Sequence, residues 1–141
     1  MDRDVKVLFL GREKILFILE REKPVVVPGK GSFLKRSMWG LPGGRSEPED
    51  NDDEIRTAIR EVRHEIGIVP EIENSLRVEE WQGNHLKIML VGYLPSGKMQ
   101  IDPTEIIEAR WRPEDLLYND SFPMYIVQRR MAQELLRKLR R

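Results

Sequence analysis

The stretch LPGGRSEPEDNDDEIRTAIREVRHEIGI, residues 41–68, concentrates the chemistry of the chain. Gly43-Gly44 after Leu41-Pro42 is a break signal, letting the backbone turn sharply and bring bare peptide groups close to a bound partner. Glu47, Glu49, Asp50, Asp52 and Asp53 follow, with Pro48 among them, which suits a solvated loop running into a helix N-terminus. From Asp53 onward Ile55, Ala58, Ile59, Val62 and Ile66 recur at three- and four-residue spacing. That spacing predicts an amphipathic helix, with Gly67 as its stop. At roughly 100° per residue, Glu54, Glu61 and Glu65 form a row along one edge of the apolar stripe, and Arg60 lies well away from it. Carboxylates at the margin of a core, facing a glycine turn, repel one another unless a cation lies between them. Mg²⁺ or Mn²⁺, which take oxygen ligands and share them with substrate phosphates, would resolve that repulsion. The competing reading is a helix whose charges only solvate it. It loses weight because the turn, the acidic loop and the carboxylate row occur together in one order.

Composition bounds the rest. A chain of 141 residues fits a single domain over residues 1–141, long enough for a real core. Lys plus Arg equals Asp plus Glu at 24 each, so no general basic field draws nucleic acid and a polyphosphate must be held locally. The absence of cysteine excludes a disulfide framework, a thiolate zinc site and a cysteine nucleophile, and is compatible with a reducing compartment. The acidic N-terminus and the lack of any membrane-length apolar run make a cytoplasmic protein with no membrane association the expectation.

Around the central stretch, residues 5–10 and 15–20 read as a hairpin across Gly11-Arg12-Glu13-Lys14. Val25 to Val27 is a short strand or loop edge between Pro24 and Pro28, and residues 29–37 form a basic loop with Phe33, long enough to cover a ligand. Trp39 either fills core space or stacks a base. Residues 71–80 and 85–94 read as strands with Gly83-Asn84 as the turn, and residues 96–101 suggest a further hairpin element. The C-terminal segment has Asn119, Asp120 and Ser121 as cap candidates, then a stripe of Ile126, Val127, Met131, Leu135 and Leu139. Its basic end suits a helix C-terminus better than a nucleic-acid patch. The pattern predicts a mixed α/β fold: a mixed sheet with the motif helix on one face and the C-terminal helix on the other.

Residues 60–68, Arg-Glu-Val-Arg-His-Glu-Ile-Gly-Ile, resemble the signature of the Nudix (MutT-like) hydrolases, in which Arg-Glu-apolar-any-Glu-Glu-any-Gly-apolar follows a glycine and an early glutamate. Leu-Pro-Gly-Gly commonly precedes it in that family. Two departures stand out. His64 occupies the place of the first glutamate of the pair, and the loop is two residues longer than the pattern, so the early acidic position falls on Asp50 counted from Gly44 or on Asp52 counted back from Arg60.

The resemblance implies a Nudix-like αβα sandwich with a central mixed sheet. It also implies a pyrophosphohydrolase cleaving a phosphoanhydride bond in a nucleoside diphosphate linked to another group, with Mg²⁺ or Mn²⁺ as cofactor. Glu61, Glu65 and Arg60 are the catalytic candidates, Arg60 by orienting a carboxylate. The metal candidates are Gly43 through its carbonyl, Glu61, Glu65, His64 and Glu108. Trp39, Gly44, Arg45 and Glu105 are the substrate-binding candidates, and Glu61, Glu65, Glu105 and Glu108 all stand open as the general base. A homodimer is common in the family. His64 and the lengthened loop motivate the alternative of a catalytically weak or inactive nucleotide-binding or sensor module on the same fold.

Overall fold

The first strands are apolar on both faces, which calls for a layer on each side of the sheet. In the computed structural model, which describes residues 2–27 and 29–141, both layers are present. In chain order the elements are β1 (Asp2–Phe9), β2 (Lys14–Glu20), β3 (Lys23–Val27), β4 (Gly31–Lys35), β5 (Trp39–Gly40), β6 (Gly43–Arg45), α1 (Glu54–Ile66), β7 (Glu71–Gln82), β8 (His85–Tyr93), β9 (Ile106–Pro113) and α2 (Ile126–Leu139). One sheet runs β6-β1-β8-β7, with β1 and β8 parallel and the other pairs antiparallel. The other runs β5-β2-β9, all antiparallel, and the two sheets meet through the Leu10–Ile15 bridge.

On one side Val5, Val7 and Phe9 pack with Leu16, Ile18, Leu86, Ile88 and Leu90 against Ala58, Val62 and Ile66 of α1. On the other, Leu8, Ile15, Phe17, Met89 and Val91 pack against Met131, Ala132, Leu135 and Leu136 of α2. The fold is the αβα sandwich with a mixed central sheet.

Helix α1 begins and ends where expected. The Asp53 side chain accepts from the Ile55 and Arg56 amides, and Gly67 closes the helix in the left-handed region at φ 74°.

Five expectations are corrected. Residues 5–10 and 15–20 do not pair as a hairpin beyond the Leu10–Ile15 bridge, because β1 takes β6 and β8 as neighbours and β2 takes β5 and β9. Residues 31–35 are not loop but the second strand of a hairpin, pairing Val25 with Phe33 and Val27 with Gly31; Pro28, expected to bound the first strand, lies outside the described residues. Residues 96–101 form no strand, because the Gln100 and Asp102 amides donate instead to the Ile66 and Glu65 carbonyls at the end of α1. Helix α2 starts later than Asn119 to Ser121: the Trp39 amide donates to the Pro123 carbonyl and the Tyr125 amide to the Trp39 carbonyl, holding residues 123–125 extended beside β5. Ile126, placed on the apolar stripe, is 74% exposed.

Candidate active site

Because β1 and β2 belong to different sheets, they part away from the Leu10–Ile15 bridge and leave a cleft of about 470 Å³ between their other ends. Asp4 and Lys6 of β1, Glu20 of β2, Gly43 and Gly44 of β6, Glu61 and Glu65 of α1, and Glu105 line it. Arg21, Lys23, Lys35 and Arg45 bring positive charge to the same walls.

The glycine pair lets α1 close on the turn. Gly43 has φ 139°, and a β-carbon there would lie 2.0 Å from the Val5 carbonyl oxygen. Its amide donates to Glu65 Oε1 at 2.8 Å. A β-carbon on Gly44 would lie 2.6 Å from the Glu61 carboxyl carbon, so the bare backbone is what gives that carboxylate its seat.

Arg60 does not lie apart from this row. Its Nε and Nη2 donate to the two oxygens of Asp50 at 3.0 and 2.9 Å, and its Nη1 donates to Glu61 Oε1 at 2.7 Å. Its Nη2 also donates to the Arg45 carbonyl at 3.0 Å, tying helix to turn. Asp50 is 3% exposed and also accepts from the Thr57 hydroxyl and the Glu47 amide, whereas Asp52 is exposed near Arg3. Asp50 therefore stands at the early acidic position. The two additional residues fold as successive left-handed positions, Asn51 at φ 52° and Asp52 at φ 58°, in a tight turn that leaves the Arg60 anchor in place. Hydrogen bonds from Arg60 hold the Asp50 carboxyl well below the usual carboxylate range. That contribution to stability is present above the ordinary aspartate range and is lost only in strong acid.

Burial pushes the Glu65 carboxyl up to about 8, against the opposing pull of Lys6 and the Gly43 amide and with Glu20 and Glu61 adding to the rise. Lys6 shows the reverse balance. Burial favours its neutral form, but Asp4, Glu65, Glu20 and Glu61 outweigh that and raise its pKa above the ordinary lysine value. Its Nζ donates to the Gly43 carbonyl at 3.2 Å and lies 4.0 Å from both Asp4 and Glu20.

Of the residues singled out from sequence, the cleft brings together Gly43, Gly44, Arg45, Glu61, Glu65 and Glu105, with Arg60 bonded to Glu61 behind them. Three lie elsewhere. Trp39 is 8% exposed and stacked on Phe122 at 5.9 Å in the α2 core, so it is core and no platform for a base. Glu108 stands opposite Leu19 in the β2–β9 ladder, beside Arg110 at 2.5 Å and outside the cleft lining, because the bulge between the Leu19 and Glu20 pairs turns it to the face of Leu19. His64 faces out, its Nε2 3.2 Å from Asp102, where the segment after residue 99 crosses the end of α1. His64, Asp102 and Glu105 do offer ligand atoms within 4.8 Å of one another, so His64 belongs to a group at the cleft margin and not to the Glu61–Glu65 pair. Glu54, expected in the carboxylate row, pairs instead with Arg77 at 3.2 Å.

Asp4, Lys6, Glu20 and Asp102 were not singled out from sequence. A signal existed for Lys6, a lone cation inside the apolar run VKVLFL.

This geometry has relatives among solved structures. A MutT protein from Methanosarcina mazei Go1 superposes with a TM-score of 0.69 at 19% identity, over 99% of this chain and 95% of that one. An ADP-ribose pyrophosphatase from Streptococcus suis 89-1591 gives 0.66 at 18%, over 99% and 92%. The NUDIX domain of Shewanella oneidensis NrtR, solved in complex with ADP ribose, gives 0.67 at 17%, over 98% and 86%. At these identities the likeness speaks for the fold. No functionally curated protein matches the sequence. The family model of the NUDIX domain matches residues 3–135, and the chain belongs to the NUDIX family.

Proposed function

We propose that this chain, as one domain, is a metal-dependent pyrophosphohydrolase that cleaves a phosphoanhydride bond in a nucleoside diphosphate linked to another group. The observation that carries the reading is the convergence of two α1 carboxylates, Glu61 and Glu65, on the Gly43-Gly44 turn in a cleft whose walls also carry Arg21, Lys23, Lys35 and Arg45. The donors are hard oxygens throughout, which fits Mg²⁺ or Mn²⁺ better than a soft ion. Glu61, Glu65 and the lone pair of the Gly43 carbonyl that Lys6 leaves free would hold the ion, with Glu105 within reach of the same space. When bound, a divalent ion supplies charge for the phosphate oxygens and lowers the pKa of an attached water.

The protein's own groups do the remaining work. Arg60, anchored on Asp50, holds the Glu61 carboxylate in one orientation. The basic residues of the walls receive the diphosphate, and one of Glu61, Glu65 and Glu105 accepts the proton of the attacking water. The cytoplasm, where nucleotide derivatives are abundant, is the compartment this activity suits. Two of the structural neighbours are named for ADP ribose or were solved with it, which puts that compound on the panel of substrates.

A second reading, a nucleotide-binding or sensor module with weak or no catalysis, draws on one observation: the Lys6 ammonium already occupies the Gly43 carbonyl. A panel of nucleoside diphosphate derivatives with Mg²⁺ or Mn²⁺, products identified, separates the two. Hydrolysis of at least one compound, abolished by chelation, is expected. Binding of a nucleotide with no turnover of any would select the second reading.

A further inference from the structure

Strand β1 is buried on both faces, yet it carries a lysine whose side chain is only 13% exposed. Its ammonium does not extend to the outer surface, as long cationic side chains usually do. It turns into the cleft and donates to the Gly43 carbonyl at 3.2 Å. Asp4 on its own strand and Glu20 on β2 each stand 4.0 Å from it, and Glu61 and Glu65 share the same space. Among the described residues no single carboxylate comes closer to it than 4.0 Å. It acts as a point charge among several acids, which is the position a divalent ion takes in such a cluster. The register makes this placement obligatory, because Lys6 is the β1 partner of Gly43 in the β1–β6 ladder.

We propose that Lys6 is a resident cation of the active site, holding the Gly43 carbonyl and part of the carboxylate field so that the cleft binds one divalent ion fewer than its oxygens would otherwise take. The inference rests on the metal-dependent reading above. It differs from a plain structural counter-charge, which would swing aside as ions enter and leave their number unchanged.

The test is Mn²⁺ binding to the full chain, counted by titration with electron paramagnetic resonance of the free ion, in wild type and in Lys6→Met. Lys6→Met is expected to bind one more Mn²⁺ per chain. Without metal it should melt below wild type, its carboxylates now uncompensated, and Mn²⁺ should raise its Tm by more than it raises that of wild type. Should Lys6→Met not fold, Lys6→Gln removes the charge while keeping a donor for the carbonyl and is expected to show the same extra ion. Equal ion numbers and equal Mn²⁺-induced shifts in wild type and variant overturn the role of Lys6. If wild type binds no Mn²⁺ and the variant binds one, Lys6 keeps its role and the metal-dependent reading of the native chain falls. If neither binds any, both fall.

Discussion

The two helices cover opposite faces of the central β layer and have nearly the same length, 13 residues in α1 and 14 in α2, yet they are built differently. Helix α2 buries only apolar side chains, Met131, Ala132, Leu135 and Leu136, and has no side-chain cap at its start. Helix α1 is capped at both ends and buries Thr57 and Glu65 among its apolar residues. A buried carboxylate costs stability unless something compensates it. The α2 face is therefore optimised packing, whereas the α1 face gives up stability to keep a carboxylate out of water beside the glycine turn. The caps on α1 offset part of that cost and fix the axial position of Glu61 and Glu65.

The largest expected effect would erase the difference between the faces by removing the turn. Gly43→Ala needs a positive φ and sets a methyl against the Val5 carbonyl, so a loss of about 4 kcal/mol or more is expected, read by denaturant titration. Near-native stability would mean that β6 can shift away from β1. Leu135→Ala tests the packed face alone. It should cost about 3 kcal/mol in stability while the folded fraction keeps its kcat, since the residue is fully buried under α2 and far from the cleft lining. A fall in kcat at temperatures where the variant is folded would show the two faces to be coupled.

Glu65→Gln reverses that pattern. Activity should drop by roughly a hundredfold or more as charge in the site is lost, with the fold retained. Its metal-free stability should also respond differently to pH. Glu65 titrates near 8 in the folded protein and near the ordinary glutamate value when unfolded, so the folded state holds the extra proton between the two. The stability this gives is complete below the unfolded value and is lost as pH rises through about 8, at up to about 1.4 kcal/mol per pH unit. Wild type should therefore lose metal-free stability across that window relative to Glu65→Gln. Parallel pH curves would remove Glu65 from the buried carboxylates that matter.

The smallest effect is expected from His64→Glu. With His64 facing Asp102 and not the Glu61–Glu65 pair, stability should change by less than about 0.5 kcal/mol and the Mg²⁺ dependence of activity should hold. A lower Mg²⁺ concentration for half-maximal activity would bring position 64 into the metal's surroundings after all.

What could be read from sequence follows the range of the interactions involved. Helix α1, its Asp53 start and its Gly67 stop are local, set by groups a few residues apart, and they lie where the spacing puts them. The turn after Leu10 and the β7–β8 pair are likewise local, but β1 and β2 share only the Leu10–Ile15 bridge before they part into different sheets. The readings that failed or stayed open are those that depend on distant partners. Asp50 and Asp52 are equivalent until Arg60 is seen to reach one of them. Met99 and Ile101 are apolar and pack under α1, but whether they join a ladder was decided by the free carbonyls at the end of that helix. Trp39 had two reasonable fates, and Phe122, far along the chain, selected the core. Lys6 shows in the sequence only as a cation in an apolar run, and it takes the register that faces it to Gly43 to make it a site residue.

The parallel pairing of β1 with β8 bears on when the cleft comes into existence. Asp2 and His85, neighbours in that ladder, are 83 residues apart in sequence, so closing it requires most of the chain to be available. Contacts of such separation are slow to form because the loop must lose its freedom before the ladder rewards it. A chain emerging from the ribosome has exposed the residues of α1 and both its caps before β8 exists, and β1 then lacks its parallel neighbour in the sheet. The cleft is therefore completed late, and the partly made protein carries the α1 acids in an incomplete site.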